Sequence, residues 1–171
     1  MSARQTKDSL LSPATNTILL ALFVAGTLDI LSAIIVYGPI LGKVPPLRLL
    51  QGIASAVLGK SAFEGGMGTA LFGLGMHYCI SLAFVTLYFL IFPYIPFLKK
   101  YKTAGGLLYG LFIWMVMNLA VLPLIGYAPF HFNLVPVLRS ALILILVFGI
   151  PLPLIIPKYY AKARSAPMNI H

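Results

Sequence analysis

Apolar residues run along this chain in four long blocks, broken by short polar and basic stretches. The blocks predict membrane-spanning helices over about 16–38, 66–92, 104–125 and 135–156. At 1.5 Å per residue each is roughly 30–40 Å long, enough to cross a bilayer with some tilt. Between the first two, "PPLRLLQGIASAVLGK" predicts a short helix over 46–58, with Pro46 in its first turn and Gly59 just past its end. That helix reaches only ~20 Å, too short to span. Its pattern places Arg48, Gln51 and Ser55 on one face and Leu47, Leu50, Ile53, Ala54 and Val57 on the other. It is expected to lie on the membrane surface or to cap the bundle. The predicted fold is all-α: an integral membrane four-helix bundle, one transmembrane domain over 1–171, with an amphipathic interfacial helix between spans 1 and 2.

Composition strengthens this picture. Of 171 residues, 60% are hydrophobic and 9% charged, against about 25% charged in a soluble domain. The net charge of +9 does not point to nucleic acid, because the basic residues sit at the ends of apolar runs rather than in one patch. There they set orientation and meet anionic headgroups. Arg4 and Lys7 precede the first span, Lys99, Lys100 and Lys102 separate the second and third, and Lys158, Lys162 and Arg164 follow the fourth. The third connection, "GYAPFHFN", has no Lys or Arg. The positive-inside rule then puts both termini and the Lys99 loop in the cytoplasm. Lys43, Arg48 and Lys60 in the first connection are the exception. Tyr94, Tyr101, Tyr159 and Tyr160 suit an inner aromatic belt, and Tyr37, Tyr127, Phe130 and Phe132 an outer one. Arg4 and Lys7 followed by an apolar run resemble a signal peptide. The run extends too far and no A-x-A site follows, so it reads as an uncleaved first span.

In lipid, helices associate by close backbone approach, so small residues spaced four apart mark contact faces. The first span carries Ala21, Ala25, Asp29 and Ala33 at that spacing. The second carries Thr69, Gly73, His77 and Ser81, and the third Gly106, Gly110, Trp114 and Asn118. Each stripe joins small residues to a strongly polar group, which therefore faces a helix contact. Measured from the outer ends, Asp29 lies ~14 Å deep, His77 ~16 Å, Asn118 ~10 Å and Arg139 ~6–7 Å. Asp29, His77, Asn118 and Arg139 are thus expected to form an intramembrane polar cluster. Ala21, Ala25, Ala33, Gly73, Gly106 and Gly110 pack the helices. A lone charge at mid-bilayer costs ~2.5–3.5 kcal/mol on the insertion scale. Asp29 can reduce that cost by staying protonated or by pairing with His77 or Arg139, and Asn118 can donate to either form. Two readings stand together: such groups hold helices together at ~0.6–2 kcal/mol per contact, or they form a protonation-linked site, since His titrates near neutrality. Arg139 can equally snorkel to headgroups.

Other chemistry finds little support. The lone Cys79 excludes an intramolecular disulfide and a Cys-based metal cluster. Asp29 and His77 alone are too few ligands for a metal. His77 is the sole in-span histidine, His131 and His171 lying in a loop and at the terminus, so a haem lacks its axial partner. Ser81 lies one turn from His77 and Cys79 on another face, a poor start for nucleophilic catalysis. "VLGKSAF" is not a P-loop, because Ala54 stands where that motif needs glycine. No inverted repeat of broken helices suggests a transporter. Glu64, near Lys60, reads as part of a solvated loop. The fourth span has no small-residue stripe; Pro151, Pro153 and Pro157 predict a kink or early end, and its aliphatic surface suits lipid or a partner.

"GTLDILSA", "LLQGIASAVLGKSAFEGGMGTALFGLGMHY" and "GGLLYGLFIWMVMNLAVLPL" resemble small bacterial inner-membrane proteins of the YagU-like group over residues 26–124. Asp29, His77, Asn118 and Pro123 fall on its recurrent elements. The aliphatic residues before "GIP" depart from the polar residue that the group leads one to expect there. The resemblance implies location and fold more than chemistry. The expected function is that of a non-enzymatic accessory or assembly subunit acting through helix contacts, with a larger membrane complex or a second copy as partner and no cofactor. The alternatives are a proton-linked conduit or sensor using Asp29 and His77, and third an intramembrane enzyme.

Overall fold

The computed structural model describes residues 2–124 and 133–165, with side chains over 13–123 and 133–163. The orienting charges Arg4, Lys7 and Arg164 and the loop residues Tyr127, Phe130, His131 and Phe132 lie outside those described side chains. All regular structure among the described residues is helical. Four stretches are long and apolar enough to cross a membrane: Pro13–Ile40, Gly66–Ile91, Lys102–Val121 and Leu134–Ala163.

Helix α1 (Ser2–Ile35) begins well before the predicted position 16 and carries Pro13 within it. It passes into a π-helical turn, Val36–Ile40. Helix α2 (Pro46–Leu58) starts on Pro46, whose missing N–H costs nothing in a first turn. It ends where Gly59 takes a φ of 62°. Helix α3 (Gly66–Ile91) and the short α4 (Pro96–Lys100) lead into α5 (Lys102–Met115). A second π-helical turn, Val116–Val121, extends α5 and is followed by α6 (Leu122–Leu124). The fourth span is two helices, α7 (Leu134–Gly149) and α8 (Pro151–Ser165), broken at Ile150.

α1 packs against α3, α7 and α8, α5 packs against α7 and α8, and α2 packs against α3. The small residues explain how closely. Ala21 and Ala25 are fully buried. A methyl group on Gly110 would stand 2.6 Å from Ile145 Cα, and one on Gly106 would strike Gly149 O and the Pro153 ring. One on Gly73 would run into Leu50 O of α2.

Two expectations change here. The fourth span does not simply offer an aliphatic face to lipid: Phe148, Leu152 and Ile156 are buried, and the chain stays helical past residue 156. Pro151 and Pro153 fall in the first turn of α8, where a missing donor is harmless, so the prolines break the span without ending it. The polar face expected on α2 is not all turned to water. Gln51 is 1% exposed and its Nε2 donates to Gly66 O at 3.0 Å. Leu50 and Ala54 meet α3 at Gly73, and this close backbone approach buries the neighbouring Gln51 with them.

The densest packing lies toward the end of the molecule that carries the basic residues of α4 and α8. Tyr88, Phe89 and Phe92 of α3 meet Tyr109 and Ile113 of α5, Phe148 of α7, and Leu152 and Ile156 of α8. The Tyr88 and Tyr109 rings meet edge-on with centroids 4.8 Å apart. The hydroxyls of Tyr109 and Tyr160 donate to Phe84 O at 2.7 Å and to Phe89 O at 2.8 Å. Tyr160, expected in an interfacial belt, thus stacks partly inside this cluster, its ring 5.4 Å from that of Phe92.

Candidate functional site

Asp29 sits on α1 one turn beyond Gly26, where α1 packs against Tyr78 and Ser81 of α3. A methyl there would meet Tyr78 at 3.3 Å and Ser81 at 3.4 Å. Tyr78 is held by a 2.8 Å hydrogen bond with Thr27 and by the Phe23 ring. His77 lies across this contact, and its Nε2 donates to Gly26 O at 2.9 Å. The carbonyl can only accept, so Nε2 carries a proton and Nδ1 is the nitrogen left for chemistry. His77 is also the titratable neighbour that acts electrostatically on Asp29.

Both groups open onto a hollow. A cavity of about 600 Å³ is lined by Asp29 and Tyr37 from the first span, Arg48, Ile53 and Val57 from α2, Met76 and His77 from α3, and Met117 and Val121 from the second π turn. A deeper lobe of about 220 Å³ shares Asp29, Tyr37, Ile53, His77 and Met117 and continues to Ser140, Leu144 and Phe148 of α7. Pockets of ~300–1,000 Å³ hold small ligands, typically with apolar walls and a few placed polar groups. This cavity has that character. Among the described residues, no hydrogen-bond donor reaches the Asp29 carboxylate. The Ser140 hydroxyl of the second lobe is engaged elsewhere: its Oγ accepts from Trp114 Nε1 at 2.8 Å and donates to Val137 O at 3.1 Å.

Asp29 and His77 line the same cavity. Ala33 lines both lobes beside them. Asn118 is not part of the group: it does not line the cavity, and its Nδ2 donates back to Trp114 O at 2.9 Å. The stripe of Gly106, Gly110 and Trp114 faces the fourth span, through Gly149, Ile145 and Ser140, rather than the first. Small residues reveal that a face is packed, not which helix it meets. Arg139 does not line the cavity either. Its guanidinium lies over the Tyr37 ring, 5.7 Å from the centroid, and its Nε is buried without a hydrogen-bond partner among the described residues. Arg139 thus borders the site through Tyr37.

The sequence pattern missed Tyr37, Ile53 and Met117. Tyr37 and Met117 lie in the two π-helical turns, which change the angular register that a 3.6-residue pattern assumes and recur at functional sites. Ile53 points inward because α2 docks on α3. Among the described residues no cluster of three or more His, Cys, Asp or Glu could hold a metal.

The chain matches no protein-family pattern, no curated protein and no solved structure.

Proposed function

We propose that the chain is a four-helix bundle of the bacterial inner membrane, related to the YagU-like group, with both termini cytoplasmic and α2 at the outer interface, and that its working part is the Asp29–His77 cavity. In this reading the cavity binds a small apolar molecule, and protonation of Asp29 controls the binding. The observation that carries it is a carboxylate without a hydrogen-bond partner among the described residues, opening onto a mainly apolar hollow of about 600 Å³. An unpaired charge there is costly unless it is neutralised or met by a ligand. Sensing or binding fits the geometry better than conduction. The packed layer of Tyr88, Phe148, Leu152 and Ile156, each 2% exposed or less, lies between the cavity and the basic end.

The test uses a neutral apolar fluorophore, 1-aminoanthracene, with the purified protein in detergent. Wild type should bind it saturably. Affinity should rise as pH falls and the Asp29 carboxylate takes up its proton, because this removes the negative charge from the cavity wall. Asp29→Asn should bind with that response removed, and Ala33→Trp should block binding. Absence of saturable binding in wild type at every pH would sink the reading.

A second reading, the accessory subunit acting through helix contacts, is favoured by a different face. Gly75, Cys79 and Ala83, spaced four apart on α3, are exposed, and a methyl on Gly75 would meet open space. Cross-linking through Cys79 in native membranes separates the readings. A specific adduct supports the subunit, and a monomer that carries the reagent on Cys79 but is joined to no partner opposes it.

A further inference from the structure

We propose that the groove at the basic end is a binding site for the headgroup of an anionic phospholipid. The inference depends on the chain spanning a membrane, but not on the Asp29 cavity.

The groove encloses about 350 Å³ between the end of α3, the start of α5 and the last turns of α8. Its walls are Phe92, Pro93, Pro157 and Tyr160, and its charges are Lys99 and Lys102. Lys99 is held in place: its Nζ donates to Pro93 O at 3.0 Å, which keeps one ammonium at the rim at reduced entropic cost. Tyr160 is fixed by its bond to Phe89 O. No acid lines the groove. Of the three acids in the chain, the two with described side chains are elsewhere, Asp29 at the cavity and Glu64 in the turn before α3. Among the described side chains, therefore, no neighbouring carboxylate cancels the field of the two ammoniums.

Position decides the source of the anion. Phe92 follows α3 directly, and Lys102 opens the third apolar stretch. The groove thus lies where apolar spans give way to polar connections, which is the headgroup level of a bilayer. Tyr94 and Tyr101, both exposed, flank it as interfacial aromatics do. A phosphate there can meet two lysines while the acyl chains run down beside Phe92 and Tyr160. Basic pockets between spans bind anionic headgroups in this way, each lysine worth about fivefold in affinity.

The test reconstitutes the full chain in phosphatidylcholine bilayers holding a trace of spin-labelled phosphatidylglycerol or spin-labelled phosphatidylcholine. Flotation with the vesicles is checked first, so that failure of the membrane reading shows separately. The motionally restricted spectral component should select phosphatidylglycerol over phosphatidylcholine by at least about fivefold. The double variant K99Q/K102Q, with wild-type helicity, should bring the two lipids close to parity. K43Q/K60Q, altering two exposed lysines elsewhere in the chain, should leave the preference intact. Equal restriction of both lipids by wild type, or an undiminished preference in K99Q/K102Q, overturns the assignment. So does a preference abolished by millimolar inorganic phosphate at constant ionic strength, which would give the groove to a free anion instead.

Discussion

The two halves of this molecule solve opposite problems. Toward the basic end, Tyr88, Tyr109, Phe148, Leu152 and Ile156 interlock, and Gly106 and Gly149 meet backbone to backbone. Toward the other end the helices part around Asp29 and His77, with a π turn on either side in place of regular α-helix. Lipid offers no hydrophobic reward for bringing helices together, so stability in the first half must come from contact density and satisfied hydroxyls. The second half gives up such contacts, and a carboxyl group there keeps no internal hydrogen-bond partner among the described residues. A chain that holds an unpaired acid in a hollow depends on the packed half for its stability.

The sharpest way to break this comparison is to add the same bulk to each half. Gly110→Leu would place a side chain where Ile145 Cα already lies 2.6 Å from a single methyl. It should cost about 3 kcal/mol or more, or prevent folding, as overpacking against backbone does. Ala33→Leu adds comparable bulk to a residue lining both lobes of the cavity and should change stability by less than ~1 kcal/mol. Unfolding of both variants in mixed micelles, followed by circular dichroism, gives the two numbers. Equal damage from both would mean that the hollow is as closely packed in solution as the other end.

A finer test stays inside the packed half. The Tyr109 hydroxyl donates to Phe84 O, whereas the Tyr88 hydroxyl, on a fully buried side chain, has no hydrogen-bond partner among the described residues. Tyr109→Phe should destabilise by roughly 1–2 kcal/mol, the price of a buried hydrogen bond. Tyr88→Phe removes a desolvated, unsatisfied group and should be neutral or stabilising. The same unfolding measurement checks both. A larger loss at Tyr88 than at Tyr109 would show that the Tyr88 hydroxyl finds a partner in the membrane and that the packing there is not dry.

Much of this was legible in the sequence, and the rest was not, for particular reasons. The four apolar stretches and the short helix over 46–58 follow from length and hydropathy alone. Asp29 and His77 were readable as facing inward because small residues share their stripes, and they line one cavity. The same logic puts Asn118 beside them, but Asn118 lies elsewhere. Its stripe is real, but its partner is the fourth span, and periodicity carries no information about which neighbour a face meets. Gln51 looked like a water-facing residue, yet α2 lies against α3 at Gly73, a pairing fixed only by tertiary approach. Tyr37 and Met117 are hidden because π turns break the 3.6-residue spacing of an α-helix.

The smallest expected effect on stability falls on the residue of greatest functional interest. Asp29→Asn keeps the shape of the side chain and removes its charge. If the hollow half tolerates the carboxyl only at a cost, the variant should be as stable as wild type or up to ~1 kcal/mol more stable. His77 keeps its bond to Gly26 O in either case, so the α1–α3 contact is unaffected. If Asp29 instead acts as a tie between helices, removing its charge should loosen the bundle, and stability should fall by ~0.6–2 kcal/mol as for other intramembrane polar contacts. The sign of this one change, measured beside the pH response of 1-aminoanthracene binding, separates a structural acid from a working one. Unchanged or raised stability with a lost pH response assigns Asp29 to the cavity's chemistry, whereas lowered stability with the response retained returns it to the scaffold.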